Sequence, residues 1–178
     1  VADAEGAVAN PGGIDAFALT EWVVEHGTVV GYPNAEPVEP EEFWAVDSDV
    51  VVPAALENQV TAEVAAQLTG RVVVEAANGP TTLEAEEVLT GRGIDVLPDI
   101  LVNAGGVIVS YFEWLQNRSA QRWNLDEVDV ELRDVMVRAC DAVVSMRKEL
   151  AITSRRDAAY ALALRRLETV YQQRGIFP

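Results

Sequence analysis

Three times in this chain a short apolar or β-branched run ends in small or amide-bearing residues and passes into a helical pattern. Val50–Val52 leads through Pro53-Ala54-Ala55 to a helix that Thr61 caps and that runs to Leu68, with Gly70 as its stop. Arg71–Glu75 leads through Ala76-Ala77-Asn78-Gly79-Pro80 to a helix ending at Thr90, with Thr81 and Glu84 as its capping box and Gly91 as its stop. Asp95–Val102, a strand interrupted at Pro98, delivers the chain to Asn103, and a third helix follows the pair Gly105–Gly106. Repetition of strand, loop and helix predicts a parallel sheet with helices on its faces. In such sheets ligands bind beyond the carboxyl ends of the strands. Ala54, Ala55, Asn78 and Asn103 all fall at those ends, and so does Asp3 if Val1–Ala2 closes a strand.

The third unit, Asp99–Trp114, reads DILVNAGGVIVSYFEW. A glycine turn between a strand and a helix N-terminus lets a ligand approach the backbone closely. Ser110 and Tyr111 lie on the first turns of the helix beyond it. Local pattern alone leaves two readings of these polar groups open, helix capping and a binding site.

Around these units, Ala4–Gly13 reads as a loop with the turn Asn10-Pro11-Gly12-Gly13. Asp15–His26 reads as an amphipathic helix stopped by Gly27, and the proline-rich stretch Val29–Glu42 as loop. Glu41–Ala45 is expected to form one helical turn with Phe43 and Trp44 packed inward. Beyond Asn117–Asn124, which breaks the third helix, Asn124 caps a long helix. Its stripe of Val128, Leu132, Val135, Ala139, Val143, Met146 and Leu150 is core-forming rather than cofactor-binding. Ser154 and Asp157 open a last helix that Gly175-Ile176 stops. The division is therefore a sheet-forming part over residues 1–116 and a helical segment over 117–178 that packs on it.

Charge narrows the partners. A net formal charge of −16, spread through every segment, opposes binding to nucleic acid or to an anionic membrane. No apolar run approaches the ~20 residues of a membrane-spanning helix. Of thirteen basic residues only Lys148 is lysine, a pattern that fits an acidic surface adapted to high salt. The single cysteine, Cys140, forms no intrachain disulfide, so a reduced, cytoplasmic setting is expected. The only histidine, His26, has no second histidine to share a metal and reads as a cap at its helix's C-terminal end. Neither glycine pair matches GxGxxG.

Three long stretches together resemble the amino-acid dehydrogenase superfamily, and within it the glutamate dehydrogenases. They are VVPAALENQVT (Val51–Thr61), VEAANGPTTLEAEEVL (Val74–Leu89) and LPDILVNAGGVIVSYFEWLQN (Leu97–Asn117). The opening VADAEGAVANPGGID and the closing AAYALALRRL and RGIFP are similar to that family as well, so the likeness spans the chain. It implies a Rossmann-like parallel sheet lacking its first strand and glycine-rich loop, followed by long C-terminal helices. It also implies a parent enzyme that reversibly deaminates L-glutamate to 2-oxoglutarate and ammonia with NAD or NADP. Asp3 matches the acidic position that meets the adenosine ribose hydroxyls, which tilts the expectation toward NAD. Ala54 and Ala55 match small residues that let the cofactor lie on the strand end. Asn78 and Asn103 match positions that contact the nicotinamide and its ribose. Val107 and Ser110 match the wall of the substrate pocket, Ser110 donating to the side-chain carboxylate of glutamate. A pocket for a branched or aromatic substrate leaves such a hydroxyl unpaired at about 1–3 kcal/mol, so Ser110 favours glutamate over the leucine, phenylalanine and valine relatives.

The catalytic lysine and aspartate of that family have no counterpart here; Lys148 lies in a core-packed helix and matches no catalytic motif. The chain is therefore expected to be a C-terminal fragment, inactive alone, of an enzyme that the family makes hexameric. A strand over Asp49–Val52 without its central neighbour would present an unpaired edge. The alternatives are a related leucine, phenylalanine or valine dehydrogenase, and a non-catalytic nucleotide-fold module.

Overall fold

The computed structural model describes residues 1–175. In chain order its elements are β1 (Ala7–Ala9), α1 (Ala16–His26), β2 (Glu36–Val38), α2 (Pro40–Phe43), β3 (Val50–Val51), α3 (Ala62–Gln67), β4 (Val72–Val74), α4 (Leu83–Gly91), β5 (Asp95–Leu97), α5 (Asp99–Val102), α6 (Ala104–Ser119), α7 (Leu125–Glu149) and α8 (Arg155–Arg174). The expected parallel sheet is present, in the order β3-β4-β5, with Val51 beside Val73 and Val73 beside Val96. Val73 and Val96 pack with Ala65 and Leu68 of the α3 region and with Ala85 and Leu89 of α4. Leu68 and Leu89 are essentially fully buried, and such burial contributes about 1.5–3 kcal/mol per side chain. The long helices pack on each other in a separate cluster: Val143 and Met146 of α7 meet Ala158 and Ala159 of α8, with Leu101 of α5 against them.

Several boundaries differ from the sequence expectation, each for a local reason. The strand foreseen over Asp95–Val102 ends at Leu97, and residues 99–102 are helical. Pro98 brings no N–H to continue a ladder, and its fixed φ suits the position before a helix. Consequently Gly105 and Gly106 do not form a turn; they lie in the first turn of α6. The break between α5 and α6 falls on Asn103, at φ −91° and ψ 7°. Residues read as loop contain β1 and β2, an antiparallel pair with Ala7 opposite Val38, and Ala2 bridges to Ala7. Strands of three residues are too short to show a period. Val50–Val52, read as a buried strand, is a sheet edge with Val50 51% and Val52 55% exposed. That edge is where a strand lacking its central neighbour was expected.

The caps of α3, α7 and α8 are Thr61, Asn124 and Ser154, the residues expected to open those helices, while Asp15, expected as the first residue of α1, is its cap. Gly175 ends α8; Ile176, foreseen as part of that stop, lies outside the described residues. The cap of α4 shifts by one residue. Thr82, not Thr81, accepts from the Ala85 N–H, and Gly93 at φ +75°, not Gly91, supplies the left-handed turn after the helix. Gly70 does not cap α3, which ends when Leu68 turns extended. It is small because a Cβ there would come within 3.1 Å of Val51 Cγ2 and 3.4 Å of the Ser48 carbonyl.

The misplaced cap yields a direct comparison. The Thr81 hydroxyl is buried with no hydrogen-bond partner among the described residues. Thr82→Ala is expected to cost about 1 kcal/mol, whereas Thr81→Val keeps the shape, sheds an unpaired hydroxyl and is expected to be neutral or stabilising. Urea midpoints of the two variants check this, and equal losses would contradict the assignment.

Candidate functional site

The loops after β3 and β4 are tied together where the sheet ends. The Ala76 and Ala77 N–H groups donate to the Pro53 carbonyl at 3.1 and 3.0 Å, and the Asn58 N–H donates to the Gly79 carbonyl at 2.9 Å. With the α5–α6 junction they frame an open cleft of about 650 Å³, within the range of small-molecule sites. Its lining is Ala55, Leu56 and Glu57 from the first loop, Ala76, Ala77 and Asn78 from the second, and Asn103, Gly106 and Val107 from the junction. Small residues dominate, and a Cβ on Gly106 would meet nothing within 4 Å, so the α6 backbone is open to a ligand.

Four of the residues singled out by sequence, Ala55, Asn78, Asn103 and Val107, therefore line one cleft. The two amides touch: Asn103 Nδ2 donates to Asn78 Oδ1 at 2.6 Å. In that contact each amide keeps one group free, Asn103 Oδ1 as an acceptor and Asn78 Nδ2 as a donor for a ligand. Ala54 is exposed beside Ala55 but not part of the lining. Ser110 lies one helical turn beyond Gly106, and its hydroxyl donates to the Gly106 carbonyl at 2.9 Å. In this state its proton is used within the helix. Asp3 is apart from the cleft, in the N-terminal hairpin. Its carboxylate accepts from the Val29, Glu5 and Gly6 N–H groups at 2.7, 2.9 and 3.2 Å. The bond from Val29 above all, helped by the other two, holds Asp3 below the usual carboxylate range although burial opposes it.

Behind the cleft lies a cluster that sequence reasoning missed. Arg156 of α8 donates through Nη2 to both oxygens of Glu75 at 2.7 Å, through Nε to Glu86 at 2.6 Å and through Nη1 to Asp99 at 2.9 Å. Glu75 is fully buried at the end of β4 and also accepts the Asp99 N–H at 2.8 Å. Asp99 in turn accepts the Gly79 N–H at 2.8 Å, next to Asn78. Burial alone disfavours the Arg156 guanidinium charge, but the hydrogen bonds and charges of Glu75 and Glu86 outweigh it and raise the pKa above its ordinary value. Burial likewise pushes Asp99 up, yet the Gly79 and Ile100 N–H groups and the Arg156 charge leave it below the usual range. A signal was present in the sequence. Arg155 and Arg156 occupy the first turn of a helix, where the dipole disfavours cations, so something else must hold them. Asp95 holds the first through a forked contact of 2.5–2.9 Å.

Comparison with known proteins follows the same outline. The family described as Glutamate/Leucine/Phenylalanine/Valine dehydrogenase matches residues 1–175. The chain is 44% identical over 169 residues to the NAD-specific glutamate dehydrogenase of Clostridioides difficile, covering 95% of this chain and 40% of that protein. It is 45% identical over 179 residues to the NADP-specific glutamate dehydrogenase A1 of Halobacterium salinarum, covering 100% of this chain and 43% of that protein. Among solved structures, the hetero-hexameric glutamate dehydrogenase of Thermus thermophilus in its leucine-bound form superposes with a TM-score of 0.88 at 32% identity, over 97% of this chain and 40% of that one. The chain thus spans 40% to 43% of the length of these curated relatives.

Proposed function

The chain belongs to the glutamate/leucine/phenylalanine/valine dehydrogenase family, and on that premise we propose that it is the nucleotide-binding part of a glutamate dehydrogenase, which reversibly deaminates L-glutamate to 2-oxoglutarate and ammonia with a nicotinamide dinucleotide. The observation that carries this reading is the paired amide of Asn78 and Asn103 in a cleft at the strand ends. One free acceptor and one free donor match the N–H and the carbonyl of a primary carboxamide, the group that a nicotinamide presents. Ala55 and the bare backbone at Gly106 leave room for a flat ring and its ribose. The bound cofactor would accept or return the hydride. The contribution of this chain is to orient the ring and keep its carboxamide from turning.

We assign residues 1–116 to the cofactor-binding part and 117–178 to a helical segment packed on it. Val107, exposed at the cleft wall, and Ser110 are assigned to the substrate side. The Ser110 hydroxyl rotates away from the Gly106 carbonyl to donate to the side-chain carboxylate of glutamate, an exchange that a single O–H rotor allows. Preference for NAD rests on Asp3, a carboxylate that suits ribose hydroxyls and would repel a 2′-phosphate. Relatives of both specificities stand at nearly equal identity, so this residue and not overall likeness carries the preference. The acidic surface supports a high-salt setting and the single cysteine a cytoplasmic one. A homo-hexameric assembly is proposed for the whole enzyme, the Thermus thermophilus relative being named as a hetero-hexamer.

The test is kinetic. In the whole enzyme, Ser110→Ala is expected to raise the KM for glutamate about tenfold, equivalent to about 1.4 kcal/mol, while the Kd for NAD stays unchanged. Turnover of leucine or phenylalanine in preference to glutamate would replace the reading with that of a relative, and unchanged glutamate kinetics would remove the role of Ser110. The 178-residue chain alone is expected to form no NADH from glutamate and NAD.

A further inference from the structure

We propose that Asp99, anchored by Arg156, is a positioning residue that sets the geometry of the Asn78–Asn103 amide pair from behind the cleft. The two amides come from different loops, and a single 2.6 Å contact joins them. Each has its own tether to the same carboxylate residue. On one side, the Gly79 N–H, one residue from Asn78, donates to Asp99 Oδ2 at 2.8 Å. On the other, Asp99 is the first residue of α5, and the Asn103 N–H that ends this turn donates to the Asp99 carbonyl at 3.0 Å. Asp99 itself is pinned at two points. Its own N–H meets Glu75 Oε2 at 2.8 Å, and Oδ1 receives Arg156 Nη1 at 2.9 Å. Arg156 Nη2 meets both carboxylate oxygens of Glu75, so the cation that holds Asp99 is itself tied to a buried group at the end of β4. A shift of Asp99 therefore moves both amides relative to each other, although neither Asp99 nor Arg156 lines the cleft. Glu86 is the internal control. It binds Arg156 Nε and the Ser154 hydroxyl and has no hydrogen bond to either amide-bearing loop.

This inference rests on the nicotinamide reading only for its ligand arm, and the experiment separates the two. Asp99→Asn, which is isosteric, and Asp99→Ala are compared with Glu86→Gln in the 178-residue chain, with urea midpoints measured for each. In the first arm, without ligand, hydrogen exchange at the Gly79 amide is expected to quicken at least tenfold in the Asp99 variants, and the Asn78 and Asn103 side-chain NH2 resonances to shift. Glu86→Gln is expected to leave both within twofold and unshifted at a comparable loss of stability. Equal exchange and equal shifts in the two kinds of variant would overturn the proposal, because they describe a structural cluster acting through stability alone. Should Asp99→Ala fail to fold, Asp99→Asn decides. In the second arm NAD is titrated into the whole enzyme, and its Kd is expected to rise at least tenfold in Asp99→Asn but not in Glu86→Gln. Failure of the unaltered whole enzyme to bind NAD, with the first arm positive, would count against the nicotinamide reading and uphold the positioning role.

Discussion

Arg156→Met is expected to destabilise the fold by about 3–5 kcal/mol, the loss typical when one partner of a buried ion pair is removed. The reason lies in what remains. Glu75 is fully buried and, among the described residues, keeps only the Asp99 N–H as a donor, while Glu86 and Asp99, largely buried beside it, lose their shared cation. Arg156 stands 81 residues from Glu75 in sequence, so the contact also holds α8 onto the end of β4. Adding Glu75→Met to Arg156→Met is expected to recover part of the loss, since an apolar pair fills the space without an unpaired charge. Recovery stays incomplete because the Asp99 N–H then has no acceptor. Urea denaturation at neutral pH measures both variants. A loss below about 1 kcal/mol for Arg156→Met, the range of a surface pair, would show that the cluster is solvated.

Gly106→Leu is expected to separate folding from binding. The residue lies in the first turn of α6 with ordinary helical backbone, and a Cβ there meets nothing within 4 Å. Leucine is a better helix former than glycine by nearly 1 kcal/mol in a helix interior, so stability should hold or rise slightly. The added side chain projects into the cleft beside Asn103 and takes up space that a ligand needs. Forcing extra methylenes into filled space costs about 1–3 kcal/mol, equivalent to roughly a ten- to hundredfold weaker affinity for NAD. Calorimetric titration together with a urea curve checks the pair of outcomes. Unchanged affinity would place the dinucleotide elsewhere, and a large loss of stability would mean that α6 packs more tightly at this point than its geometry shows.

Much of this molecule is written in its local sequence. The caps Thr61, Asn124 and Ser154 are legible because a capping side chain bonds a backbone N–H three residues away. The parallel β3-β4-β5 sheet is legible because each strand is followed by its own turn and helix. Asn78 is legible as a cleft residue because strand ends in such a sheet converge on one edge, whereas Asn103 reaches the same cleft from the junction of two helices. Thr82 was missed in favour of its neighbour Thr81 because both have the side chain that a cap needs, and only packing decides which hydroxyl faces the helix. Other features depend on residues far apart in the chain. The amide pair joins positions 25 residues apart, and its polarity exists only once the loops meet. The buried cluster gathers Glu75, Glu86, Asp99 and Arg156 from four segments. Its members read in sequence as a strand end, two ordinary acids and a helix start, because a charge declares its partner only when burial removes water as the alternative.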